Sequence, residues 1–156
     1  GDIATANEYL GYPYFFEGKV IEGEKLGRTL GYPTANIFIT DNKKLVPANG
    51  VYAVEVLISE PPGSKETERH SFYGSPVRDK VSRNGMMNIG VRPTIGGTKR
   101  MIEINIFGLD ENIYHTKLTV FLKKFLRPEK KFAGLPALKI QLSNDKKVAE
   151  QDLNAL

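Results

Sequence analysis

A nine-residue run at positions 50–58, GVYAVEVLI, carries apolar side chains at nearly every position. β-Branched and aromatic residues favour an extended backbone, and along a strand successive side chains point to opposite faces. Tyr52, Val54, Val56 and Ile58 then form one apolar row, and Val51, Ala53 and Leu57 most of another. A strand that is apolar on both faces belongs in the middle of a sheet packed on two sides. The rest of the chain has to supply neighbouring strands and a covering layer.

Both can be read along the chain. Residues 14–21 (YFFEGKVI), 34–39, 86–91 (MMNIGV), 101–107 (MIEINIF) and 117–126 (KLTVFLKKFL) are rich in strand formers. Gly18, inside the first of them, predicts a bulge or a close backbone approach. Residues 41–49 and 109–114 read as polar turns, Arg92-Pro93-Thr94 as the end of the fourth strand, and Gly96-Gly97 as a hairpin turn. Arg127-Pro128 stops the last strand. Residues 59–84, with Pro61-Pro62-Gly63 and a run of charge, read as a long excursion between two strands. From Leu135 onward, Leu138, Leu142, Ala149 and Leu153 recur at helical spacing, which predicts an amphipathic helix packed on the sheet, with a kink near Ser143-Asn144. Residues 2–10 predict a short helix capped by Asp2 and ended by Gly11, with Ile3, Ala6 and Leu10 on one face, and Tyr12-Pro13 forces an extended exit.

At 156 residues, with 40% hydrophobic and 26% charged side chains, the chain fits one globular domain. It has no cysteine, hence no disulfide or thiolate metal site. No apolar run approaches a membrane span, which is about 20 residues, and no signal-peptide pattern opens the chain, so the expectation is a soluble, cytoplasmic protein with no membrane partner. His70 and His115 match no paired-ligand motif such as HExxH and read as surface residues. The net charge of +4, with clusters at 78–83 and 123–131, suits an anionic partner such as ATP or a nucleic acid. A basic RNA-binding barrel would interleave aromatic and basic residues. The cluster Tyr12, Tyr14, Phe15 and Phe16 has no basic residue among its members, so no nucleic-acid partner is expected.

Chemistry concentrates in residues 23–37, GEKLGRTLGYPTANI. Gly23, Gly27 and Gly31 allow another group to approach the backbone, and such a loop can wrap an anion with its N–H groups. Arg28 adds a planar fork of donors suited to phosphate. Pro33 pushes the chain into a strand, on which Thr34 and Asn36 share one face and Ala35, Ile37 and Ile39 the other. A hydroxyl and an amide oxygen without a carboxylate cage suit Mg²⁺, which relies on substrate phosphates for much of its shell. The chain lacks GxxxxGK[ST] and so has no Walker-type site. Glu103 sits in mid-strand, off the face formed by Ile102, Ile104 and Ile106. That placement needs either solvent on an outer sheet face or a task such as general base.

Three strings in this order, GEKLGRTLGYPTAN, NIGVRPT followed by Glu103 in the next strand, and LRPEKKF at 126–132, resemble the riboflavin kinase family. The resemblance covers nearly the whole chain. It implies a mainly β fold, a six-stranded antiparallel Greek-key-like barrel with a C-terminal α-helix and a short N-terminal helix. It also implies ATP:riboflavin 5′-phosphotransferase activity, giving FMN and ADP. In that reading Gly23, Gly27, Arg28, Gly31 and Thr34 bind ATP, and Thr34 and Asn36 help hold Mg²⁺. Glu103 deprotonates the ribityl hydroxyl, and Gly90, Arg92, Arg127 and Phe132 border the flavin. Residues 1–13 resemble the linker helix that follows the adenylyltransferase domain of bifunctional bacterial FAD synthetases, leaving 14–156 as the kinase domain. The chain departs from the family at 59–84, which is longer than usual, and at His115, where glycine is common. A non-catalytic flavin-binding or regulatory module, disabled by these departures, is the alternative.

Overall fold

The structure is a computed structural model in which residues 1–23, 26–59, 81–94 and 97–155 are described. Six strands, β1 (Phe15–Ile21), β2 (Ala35–Phe38), β3 (Gly50–Ile58), β4 (Val81–Thr94), β5 (Gly97–Ile106) and β6 (Lys117–Arg127), close into a barrel in the order β1-β2-β5-β4-β3-β6. Every pairing is antiparallel. Among the described residues three helices accompany them: α1 (Ile3–Leu10), the single turn α2 (Leu26–Thr29) and the 20-residue α3 (Leu135–Asn154).

The two-faced strand sits where its pattern demands. β3 pairs with β4 on one side and β6 on the other. Tyr52, Val54 and Val56 turn into a barrel core shared with Phe16, Met87, Ile104 and Leu122. Ala53 points outward into a second cluster with Met86 and Ala149, against which Leu142 and Leu153 pack. That second layer is α3, lying across β3, β4 and β6. The helix runs without interruption through Ser143 and Asn144.

Gly18 serves close approach. A Cβ there would stand 2.3 Å from the Ile37 side chain, while the register irregularities lie instead in the β3–β6 pairing, at Val51/Tyr52 and Ala53/Val54. β4 is longer than its sequence suggests at both ends. After Val81 its first residues, Ser82, Arg83 and Asn84, are polar, and Ser82 Oγ donates to Glu55 Oε1 of β3 at 2.6 Å. At the other end the ladder continues past Arg92, with Pro93 opposite Thr98, since proline removes only its own donor. Of the expected excursion, residues 81–84 belong to β4. Residues 60–80, including His70, lie outside the described residues, as does Gly96 of the expected hairpin turn.

α1 is capped as its sequence predicts, with Thr5 N–H donating to Asp2 Oδ1 and Gly11 in the left-handed region at φ 73°. Its anchor is different. Ile3 is buried but Leu10 is exposed, and Asn7 ties the helix down by donating to the Leu122 carbonyl at 2.9 Å and accepting from Tyr14 N–H at 2.7 Å. His115 adopts φ 67°, so a histidine takes the conformation that glycine favours. Among the described residues, no helix is long and apolar enough to cross a membrane.

Glu55 lies between two strands that hold it charged. Lys123 Nζ reaches Glu55 Oε2 at 2.8 Å, and the Lys123 and Ser82 hydrogen bonds keep the carboxyl below its ordinary range. A depressed folded value adds stability above the ordinary carboxylate range, which is lost as pH falls through the folded value. Glu55→Gln is therefore expected to lower the urea midpoint at pH 7, and the difference from the parent chain should shrink as pH falls through and below the ordinary carboxylate range. A deficit unchanged between those conditions would mean that packing, not charge, is at stake.

Candidate active site

One line of residues crosses five strands on the outer face of the barrel. Asn36 on β2 stands opposite Glu103 on β5, Glu103 opposite Asn88 on β4, Asn88 opposite Val51 on β3, and Val51 opposite Arg127 on β6. Directly opposed residues of an antiparallel pair share a face, so register alone gathers Asn36, Glu103, Asn88 and Arg127, whose ends are 91 residues apart in sequence, into one row. Where this row runs toward α3 it lines a cavity of about 250 Å³. Val51, Met86, Leu138, Leu142 and Phe132 form much of its wall, and Gly27, Thr34, Asn88, Arg92, Glu103 and Arg127 its polar part.

Glu103 is 23% exposed, and its Oε1 accepts from Arg92 Nη2 at 3.0 Å. Asn88, Gly90 and Arg92 alternate onto the same face of β4. A Cβ at Gly90 would lie 2.1 Å from Glu129 Oε1 and 3.1 Å from Asn88 Nδ2, so the ends of those two side chains crowd the glycine. Asn105 Nδ2 donates to the Pro33 carbonyl at 2.7 Å and so ties the β5 ladder to the start of the Pro-Thr-Ala-Asn segment.

Arg127 lines the cavity, but its guanidinium is held by α3. It donates to both carboxylate oxygens of Asp145, at 2.9, 3.1 and 2.7 Å, and to the Pro128 carbonyl at 3.0 Å. Gln141 Nε2 adds a bond to Asp145 Oδ1 at 2.8 Å. The same guanidinium lies 5.7 Å from the centre of the Phe132 ring. Asp145 is almost fully buried. It was missed in the sequence, although a carboxylate between Leu142 and Ala149 on the apolar stripe of a helix is a signal that a buried cation faces it.

The glycine-rich segment is more compact than an open loop. Gly27 lies in α2, and its carbonyl accepts from Tyr32 N–H at 2.8 Å. A Cβ on Gly27 would stand 2.3 Å from the Tyr32 carbonyl oxygen, and one on Gly23 1.8 Å from Asn36 Nδ2. Gly31 has φ 83° with open space around it. Residues 24–25 lie outside the described residues. Arg28 borders a second, smaller cavity of about 70 Å³, together with Glu111, Asn112 and Tyr114. Thr34 borders both cavities.

Asn36 is 5% exposed, and its Oδ1 has no hydrogen-bond donor among the described residues. A buried, unsatisfied amide oxygen is costly unless something occupies it. It and the Thr34 hydroxyl two residues away are neutral oxygen donors of the kind that Mg²⁺ takes. No group of three His, Asp or Glu that could hold a metal occurs among the described residues.

A closed antiparallel barrel thus sets a carboxylate in one cavity and a cationic turn at the next, with a shared threonine between them. A family model described as Flavokinase, riboflavin kinase, matches residues 10–153, and the chain belongs to that family. An *Escherichia coli* K12 protein named bifunctional riboflavin kinase/FMN adenylyltransferase is 34% identical over 151 residues, 96% of this chain and 41% of the relative. The crystal structure of a riboflavin kinase from *Trypanosoma brucei* superimposes with a TM-score of 0.62 at 26% identity, covering 91% of this chain and 80% of that one. A *Streptococcus pneumoniae* crystal structure, called a macrolide-efflux protein, superimposes with a TM-score of 0.76 at 31% identity over 96% of this chain and 42% of that one. The chain spans about four tenths of the length of the bifunctional relative.

Proposed function

We propose that this domain transfers the γ-phosphoryl group of ATP to the 5′-hydroxyl of riboflavin, giving FMN and ADP. The observation that carries this reading is the position of Glu103, set by strand register in a largely apolar cavity that meets the Arg28 cavity at Thr34. A flat isoalloxazine ring, apolar on its faces and at its dimethylbenzene end, suits the wall of Val51, Met86, Leu142 and Phe132, with Gly90, Arg92 and Arg127 at the polar border. The nucleotide phosphates take the side of Gly23, Gly27, Arg28, Gly31 and Thr34.

Phosphoryl transfer asks for alignment and charge neutralisation more than covalent chemistry. The ribityl oxygen forms a bond to the γ-phosphorus, the bond from that phosphorus to the β,γ-bridging oxygen breaks, and ADP leaves. Glu103 takes the hydroxyl proton. Thr34 and Asn36 would hold Mg²⁺, which when bound neutralises charge on the phosphates. Asn36→Asp is expected to change the Mg²⁺ concentration giving half-maximal rate by about tenfold while the fold stays intact; an unchanged Mg²⁺ titration would count against a metal role.

Residues 1–13 serve in this reading as the linker helix and 14–156 as the kinase domain. The likeness to bifunctional relatives supports a companion adenylyltransferase domain, to which FAD synthesis would belong. Use of ATP fits a cytoplasmic location. Incubation with riboflavin, ATP and Mg²⁺ should yield FMN and ADP in equal amounts on chromatography. Riboflavin bound but unconverted would instead favour a non-catalytic flavin-binding module.

A further inference from the structure

Strand register places Asn88 between Glu103, its partner on β5, and Val51, its partner on β3. If the reacting hydroxyl lies at Glu103 and the flavin ring at the wall that includes Val51, whatever joins the two passes over Asn88, about 5 Å from either neighbouring strand. A second group reaches the same place. Glu129, from the segment after β6, lines the cavity together with Asn88. Its carboxylate lies over Gly90, two residues along β4 on the face that carries Asn88. The point above Gly90 therefore has a carboxylate oxygen and an amide nitrogen within 3.1 Å of it. Among the described residues neither group is tied to another side chain. The two differ in what they accept. An ionised carboxylate takes hydrogen bonds only as acceptor, and an amide nitrogen only donates. A hydroxyl does both, so one hydroxyl can donate to Glu129 and accept from Asn88. A carbonyl or phosphate oxygen would meet the carboxylate as a second acceptor.

We propose, resting on the phosphotransferase reading, that Asn88 and Glu129 determine specificity by binding the inner hydroxyls of the ribityl chain, leaving the 5′-hydroxyl to Glu103. The ligand class that follows is a flat, largely apolar ring carrying a polyol. A ring with a plain alkyl group in that place brings no donor to Glu129 and no acceptor to Asn88, so both polar groups go unpaired on its arrival. Holding the inner hydroxyls also fixes the direction of the chain, which presents its terminal hydroxyl to the base. Asn88 and Glu129 thus read the chain, and the apolar wall reads the ring.

The test titrates the parent chain, Asn88→Ala, Glu129→Ala and the double variant with riboflavin and with lumiflavin, the same ring bearing a methyl group in place of the ribityl chain. Binding is followed by flavin fluorescence without ATP. The parent chain should bind riboflavin about tenfold or more tighter than lumiflavin, as a hydrogen bond to a charged group implies. Each single variant should remove most of that preference and leave lumiflavin affinity within about twofold, and the double variant should be little worse than either, because the two residues share a hydroxyl. Equal weakening of both flavins would make the two residues ring contacts or supports of the fold. Riboflavin affinity unchanged by either substitution would place them outside the site, and a parent chain without the preference would leave the polyol unread. Each of these results overturns the proposal. FMN formation by the parent chain with ATP and Mg²⁺, measured alongside, reports on the phosphotransferase reading separately. A riboflavin preference that depends on Asn88 and Glu129 without FMN formation would sustain the ribityl contact and sink that reading.

Discussion

Glu103→Gln is expected to lower turnover by about 10²–10⁴-fold, equivalent to about 2.7–5.4 kcal/mol of barrier, while melting temperature and ATP affinity stay near their starting values. The substitution keeps the shape of the side chain and removes its capacity to take a proton. Its structural penalty is small because the Arg92 pair is partly open to solvent, where such pairs contribute about 0–1 kcal/mol. Nor does Glu103 border the Arg28 cavity, so nucleotide binding is spared. Steady-state rates beside thermal melting separate the two roles. Activity and melting temperature falling together would make Glu103 a structural residue, and unchanged turnover would remove it from the chemistry.

Asp145→Ala is expected to have the opposite profile, a loss of stability of about 3 kcal/mol, since removing one partner strands a buried charge. For a chain of this size that corresponds to a melting temperature lower by on the order of 10 °C. The carboxylate accepts from Arg127 and Gln141 at once, and the bonds join β6 to α3 beneath the cavity. With the carboxylate gone, Arg127 must find water or draw α3 away from β6. Asp145→Asn, which keeps the shape and one carbonyl acceptor, should lose less. A melting temperature within about 1 °C of the parent for Asp145→Ala would show that the helix is held by its apolar contacts alone.

These two residues differ in how far sequence reveals them. Glu103 stood out because it interrupts an isoleucine face in a short strand, and β3 stood out because both of its faces are apolar. What sequence does not display is register. Nothing local says that Asn36, Glu103, Asn88 and Arg127 fall in one row, since that depends on which strands pair and by what offset. Asn88 does not stand out for that reason, nor does Asp145, because the apolar stripe of the helix reads through its leucines and alanine alone. The early start of β4 was hidden because Ser82 and Glu55 satisfy each other on an exposed face, leaving no apolar period to read. The anchoring of α1 escaped notice because Asn7, a polar residue, does the work that Ala6 and Leu10 were expected to do. Gly27 reads as part of a loop but lies in a helical turn, whose hydrogen bond from Tyr32 has no signature beyond the glycine itself.

The central claim, that Glu103 and the Arg28 turn serve one transfer between two adjoining cavities, is tested most directly by following the phosphorus. The protein would be incubated with riboflavin, Mg²⁺ and ATP labelled in its γ-phosphate, beside Glu103→Gln. The expected result is label recovered in FMN with the parent chain, in step with unlabelled ADP, and little or none with the variant. Label released as inorganic phosphate while riboflavin remains unmodified would contradict the account.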